Sequence, residues 1–330
     1  MTVAEESAGE SGREAWEGMP RRVAAGSGDL GVRRKDREAC EGRAVPDAGA
    51  LARPPFALAP VTVVTGHYGV GKTNLSLNLA YDAAARGAQV TLVDLDVVNP
   101  YFRSSDHADT LAAQGVRLIA PVFAGKGSNL DVPSLTGAIA PAIEEAYAAA
   151  RQAACGGEAG PAADARTPGG FAGGPTADAV GPTSDEAAGV PPAVVIVDAG
   201  GDDAGATALG RFAADVVAGP YALLYVVNRF RNLTQTPVSA AAALPPILEA
   251  AHLQATAVVN NSHVMGETGW DDVRVALAFG DEAARLLGLP LACTTVPEAL
   301  VRRENGGVPS FMGGRRVYSV QRYVRAPWET

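Results

Sequence analysis

The sequence predicts a three-layer α/β protein, built on a doubly wound, mostly parallel sheet of seven to eight strands. Three observations predict it. Short apolar runs alternate with helical stretches along most of the chain. Several of those runs are apolar at consecutive positions, as strands covered on both faces are. The first run passes through a glycine-rich loop straight into a helix, the arrangement that places ligands at the carboxyl ends of strands.

The strand-like runs are residues 61–65, 89–95, 116–121, 193–198, 222–228, 256–261 and 291–296. Helical stretches lie between them, from Asn74 to Arg86, Pro133 to Ala154, Pro237 to Ala251 and Asp271 to Leu287. Residues 1–58 mix Gly, Ala, Glu and Arg without period and predict a disordered tail, or an over-long gene start. Residues 59–330 form the folded domain, interrupted at 155–192 by a Gly/Pro/Ala-rich insertion with no period. The basic stretch from Arg315 to Arg325 reads as a solvated helix face.

Composition narrows the function classes. A formal net charge of -9 disfavours a nucleic-acid binder, because an acidic chain repels phosphate backbones. Cys40, Cys155 and Cys293 form no C-x-x-C pair, which argues against a disulfide framework, a zinc site or an iron–sulfur scaffold. The four histidines show no metal-ligand spacing. No apolar run is long enough to span a bilayer, and the acidic N-terminus lacks the apolar segment of a signal peptide. A cytoplasmic protein is expected. Only three lysines occur, Lys35, Lys72 and Lys126, so a lysine in a suggestive place is informative.

Lys72 is in such a place. Gly66-His67-Tyr68-Gly69-Val70-Gly71-Lys72-Thr73 fits G-x-x-x-x-G-K-[ST] between a strand and a helix. Glycines let backbone N–H groups turn inward on phosphate oxygens, and the helix N-terminus adds its unpaired amides. Gly66, Gly69, Val70, Gly71, Lys72, Thr73 and Asn74 are therefore the expected nucleotide-binding set. Lys72 would reach the β- and γ-phosphates, and the Thr73 hydroxyl would take a site on Mg²⁺.

Later segments fit the same site. Asp94 and Asp96 stand at the end of the second strand; one carboxylate can serve the metal and the other can orient an attacking water. The fourth run ends in Asp198, the Walker-B form of metal carboxylate, and Gly201 completes a D-x-x-G whose amide can turn toward the γ-phosphate. Another strand ends in Asn260-Asn261, where a side-chain amide can read a purine edge. Arg103 follows the extended turn at Asn99-Pro100; it either swings onto the phosphates as a catalytic cation, or caps the turn or pairs with Asp106.

With these motifs in place, about residues 59–300 resemble the MinD/ParA-type branch, written more fully CobQ/CobB/MinD/ParA, of the SIMIBI P-loop nucleotidases. Within it the chain is similar to a bacterial ATP-binding group that shares Gly66–Thr73, Asp94–Arg103, Gly200–Ala206, Val226–Arg231 and Asn260–Asn261. The resemblance implies Mg²⁺-dependent ATP binding with slow hydrolysis, usually linked to dimerisation. It implies phosphate and Mg²⁺ binding by Lys72 and Thr73, water positioning by Asp96, metal service by Asp198 and adenine contact by Asn260. His67 stands where such loops carry a second, signature lysine.

The function expected is an ATPase that switches an unknown protein partner or a homodimer interface. The alternative is a phosphotransferase or ATP-dependent ligase resembling dethiobiotin synthetase, with Lys126 and Asp202-Asp203 meeting the small substrate; Lys126 reads more simply as a solvated loop lysine. GTP is the other nucleotide to consider, although no N-K-x-D motif is present.

Overall fold

The structure is a computed structural model that describes residues 54–96, 104–120, 137–156, 190–303 and 311–324. Its strands are β1 (Val61–Thr65), β2 (Gln89–Leu95), β3 (Val116–Ile119), β4 (Ala193–Ala199), β5 (Tyr221–Val227), β6 (Ala257–Asn260), β7 (Leu291–Pro297), β8 (Phe311–Met312) and β9 (Arg315–Val320). They form one sheet in the order β3-β2-β4-β1-β5-β6-β7-β9-β8. Every pairing is parallel except that of the two-residue β8 with β9. The doubly wound sheet expected from the sequence is present.

Strand residues alternate between two cores, as a two-residue repeat requires. Val64, Leu92, Ile196, Leu224 and Val226 face one, while Val61, Val63, Val195, Val197 and Leu223 face the other. Because both faces are covered, β1, β4 and β5 are buried along their whole length. That is why their sequences are apolar without alternation.

The helices are α1 (Lys72–Ala85), α2 (Ala108–Ala113), α3 (Ile139–Gly156), α4 (Asp203–Gly210), α5 (Ala213–Val216), α6 (Pro237–Ala242), α7 (Leu244–Ala251), α8 (Trp270–Leu287) and α9 (Glu298–Arg303). None of the described helices is long and apolar enough to cross a membrane. The stretch 237–251 is two helices rather than one, α6 entered through a Thr236/Ser239 capping box.

Two sequence readings change. Arg315–Val320 is a strand, not a helix face: Val317, Tyr318, Ser319 and Val320 are buried beside β7, and only the arginines reach outward. The β-branched and aromatic content of RRVYSV outweighs its charge. The folded domain also begins before residue 59. Phe56 and Leu58 are buried in the same core as Val64 and Leu75. Residues 1–53 and nearly all of the 155–192 segment lie outside the described residues, although α3 runs into its start.

Helix α1 is buried from Lys72 to Ala83, polar residues included. Asn78 accepts from the Gln321 N–H at 2.8 Å and donates to its carbonyl at 2.9 Å. Asn74 donates to the same carbonyl at 2.8 Å and accepts from the Tyr323 N–H at 2.9 Å. The Tyr81 and Tyr323 rings meet at 4.7 Å. A segment from beyond β9 thus covers the polar side of α1.

Candidate nucleotide site

The strand order changes direction at β1, which has β4 on one side and β5 on the other. The crevice at such a point, beyond the strand carboxyl ends, is where open α/β sheets bind ligands. The loop from Gly66 to Gly71 lies there. Gly69 has φ 77 and Gly71 φ 93, left-handed values that a side chain disfavours. A Cβ on Gly66 would lie 2.4 Å from the Val226 carbonyl oxygen, and one on Gly201 would lie 1.8 Å from the Gly66 carbonyl oxygen. These glycines allow the β4 and β5 ends to press on the loop.

Three carboxylates converge behind it. Asp94 and Asp198 are level with each other across β2 and β4, and Asp198 is level with Val64 of β1. Asp94 is oriented by main-chain donors, the N–H of Asp96 at 3.1 Å and of Ser104 at 3.0 Å. Lys72 is buried, with its Nζ 3.8 Å from an Asp96 carboxylate oxygen and 3.5 Å from the His67 carbonyl. Asp198 has no exposed surface, and neither of its carboxylate oxygens accepts a hydrogen bond of good geometry. Burial pushes its pKa up strongly, the Asp94 carboxylate adds to the rise, and Lys72 and the Thr73 hydroxyl oppose it.

An orphaned buried carboxylate is costly unless a cation completes it. Asp198, Asp94 and Thr73 offer hard oxygen donors, the type that Mg²⁺ takes. Among the described residues, no group of three or more His, Cys, Asp or Glu side chains is arranged to hold a metal ion. At phosphate sites Mg²⁺ keeps few protein ligands, and substrate oxygens and water complete its set. The residues therefore fit the ion.

Several expected roles move. The Asn260 side chain is occupied within the fold: it donates to the Ala276 carbonyl at 2.9 Å and to the Thr294 hydroxyl at 3.2 Å, and accepts from Ser262 at 2.6 Å. It packs so tightly on Gly280 of α8 that a Cβ there would come within 2.7 Å. The neighbouring Asn261 touches the loop instead, donating to the Val70 carbonyl at 2.6 Å while Thr295 donates to its Oδ1. The doublet Asn260-Asn261 was visible in the sequence; which amide faces the loop follows from the pleat. The Asn74 side chain is spent on residues 321–324, leaving its main chain for a nucleotide. Asp202 caps α4 by accepting from the Gly205 N–H at 2.9 Å, a structural role in place of substrate contact. Arg103 and Lys126 lie outside the described residues.

A glycine-rich phosphate loop at the switch point of a parallel sheet is the arrangement of a P-loop nucleotide-binding fold. The family model of the CobQ/CobB/MinD/ParA nucleotide binding domain matches residues 61–248, and the chain belongs to that family. No curated protein sequence matches it. Among solved structures, FtsY from Mycoplasma mycoides is 13% identical, with 74% of this chain and 62% of that chain covered and a TM-score of 0.37. The signal recognition particle 54 kDa protein from Aeropyrum pernix K1 in complex with GDP is 15% identical, with 76% and 43% covered and a TM-score of 0.38. The receptor FtsY from Elizabethkingia anophelis in complex with GDP is 16% identical, with 74% and 61% covered and a TM-score of 0.35. The chain thus spans less than two thirds of the length of these structures.

Proposed function

We propose that this chain is a Mg²⁺-dependent ATP-binding protein and slow ATPase, whose nucleotide state controls a protein partner or a homodimer interface. The observation that carries the reading is Asp198, a fully buried carboxylate with neither oxygen in a hydrogen bond of good geometry, beside the loop and the Lys72–Asp96 pair. A carboxylate so placed holds a proton on its own and gives it up to a cation, which a Mg²⁺–nucleotide would bring.

The loop amides and Lys72 bind the phosphates, and Thr73 and Asp198 hold Mg²⁺, with Asp94 alongside. Bound Mg²⁺ supplies charge that offsets the phosphate oxygens. Asp96 accepts from a water and orients it toward the γ-phosphorus; as the water adds, the bond to the ADP oxygen breaks and phosphate leaves. Lys72 lies close enough to Asp96 to follow the charge from carboxylate to phosphate.

Equilibrium titration with ATP and GTP, with and without Mg²⁺, tests the reading. Mg²⁺-dependent ATP binding with slow turnover and no added metabolite is expected. Absence of nucleotide binding, or turnover only with a small carboxylate or amine acceptor, overturns it.

A further inference from the structure

We propose that Arg231 is the second cation of the phosphate site, bonding the terminal phosphates of the nucleotide held by its own chain. The inference rests on the nucleotide reading above and adds a residue to that site.

The first argument is charge. Asp94, Asp96 and Asp198 stand together at the loop, with Lys72 beside them. Mg²⁺ would offset part of that charge, and a second cation beside Lys72 would offset more of what a polyphosphate brings. The loop itself supplies none: His67 occupies its second position, and its Nδ1 lies 3.4 Å from the Tyr68 carbonyl.

The second argument is placement. After β5 the chain turns at Asn228, whose Oδ1 accepts from the Phe230 N–H at 2.9 Å and whose Nδ2 donates to the His263 carbonyl at 3.1 Å. Thr234 donates to the Asn228 carbonyl at 2.7 Å, and the Arg229 N–H donates to Ser262 at 3.0 Å. This pinned turn sets Arg231 against the phosphate loop. Its Cδ lies 3.8 Å from where a Cβ on Gly69 would be.

The third argument is availability. Arg117, Arg274, Arg285, Arg302 and Arg315 pair with carboxylates, and Arg229 donates to the Val275 carbonyl at 3.2 Å and lies over the Phe230 ring. Among the described residues the exposed Arg231 guanidinium makes no such contact. Its charge is felt at the buried His263, whose pKa it helps to lower. A planar donor group free at the rim of a phosphate loop suits phosphate oxygens, which accept two of its N–H groups at once.

The test uses the full chain with Arg231→Gln, Arg231→Lys and Lys72→Ala, titrated with Mg-ATP and Mg-ADP across a salt series. Arg231→Gln should weaken ATP binding by ~10-fold or more, as loss of a charged hydrogen bond does, and flatten its salt dependence. Arg231→Lys should restore part of the affinity, and melting temperatures should stay at the wild-type value because the side chain is exposed. Wild-type affinity and salt dependence in Arg231→Gln, with binding lost in Lys72→Ala, would overturn the role of Arg231 and leave the site standing. If the wild type binds no nucleotide, or Lys72→Ala binds as well as it does, the nucleotide reading itself fails and Arg231 with it.

Discussion

Asn261 donates from Nδ2 to the Val70 carbonyl at 2.6 Å, fastening the end of β6 to the middle of the phosphate loop. Gly71 makes room for it: a Cβ there would lie 2.4 Å from that nitrogen. The loop is therefore shaped partly by a strand two places away in the sheet.

Asn261→Ala should leave the Val70 carbonyl without its side-chain partner and the Thr295 hydroxyl with the longer bond to the Asn260 carbonyl at 3.4 Å. A cost of about 1–3 kcal/mol in stability is expected, with weaker nucleotide binding as the loop loses its tether. Asn260→Ala should cost stability similarly, through Ala276 and Ser262, yet leave the preference between ATP and GTP unchanged. Urea unfolding and paired nucleotide titrations separate the two; a change of base preference in Asn260→Ala would return that residue to the base site.

The carboxylates and the lysine should divide by step. Lys72→Ala is expected to lose most ATP binding, because removing a charged contact to a polyphosphate costs ~2–5 kcal/mol. Asp96→Asn should bind ATP and hydrolyse it poorly, since orienting a water matters on the way to the transition state. Asp198→Asn should bind ATP with a weakened Mg²⁺ dependence. Single-turnover hydrolysis at the wild-type rate in both aspartate variants would refute this division.

The folded boundary is testable by truncation. Removing residues 1–53 should leave the melting temperature unchanged. Removing 1–58 takes Phe56 and Leu58 out of the core, for which ~3–5 kcal/mol is expected from the phenylalanine alone. Equal melting temperatures for the two truncations would place these side chains outside the cooperative core.

Asn74 offers a sharper contrast, because the helix-start position suggested a nucleotide ligand. Its amide instead holds Gln321, Tyr323 and Val324. Asn74→Ala should lower stability by about 1–3 kcal/mol and leave Mg-ATP affinity close to that of the wild type. A large loss of ATP affinity with an unchanged melting temperature would reverse the assignment.

These contrasts mark what was legible in the sequence. The phosphate loop could be read because its chemistry is local: glycines, a lysine and a threonine within eight positions between a strand and a helix. Asp94, Asp96 and Asp198 were legible because apolar runs ending in Asp place them at strand ends. The partners of Asn74 and Asn260 were not, since Gln321 is 247 positions from Asn74 and the Ala276 carbonyl belongs to a helix packed across the sheet. Arg315–Val320 was misread because charge was weighed and the buried Val317, Tyr318 and Val320 were not. Phe56 and Leu58 were hidden in a stretch whose average composition resembles the tail before it. Long-range partners decide all of these cases, and no local period reports them.

His263 supplies a prediction in pH. Its imidazole is buried with neither nitrogen hydrogen-bonded, and burial, aided by the nearby Arg231 charge, lowers its pKa to about 4. An unfolded histidine titrates near ~6.5, so between that value and the folded one the unfolded chain binds the proton and the folded chain does not. Stability should therefore fall as pH drops through this window and level off above it, by about 2 kcal/mol at pH ~5 from this group alone. His263→Leu removes the titration. Urea unfolding at pH ~5 and ~7 should show a steeper loss in the wild type than in the variant. Parallel losses would mean that the imidazole takes up its proton as readily in the folded chain as in the unfolded one.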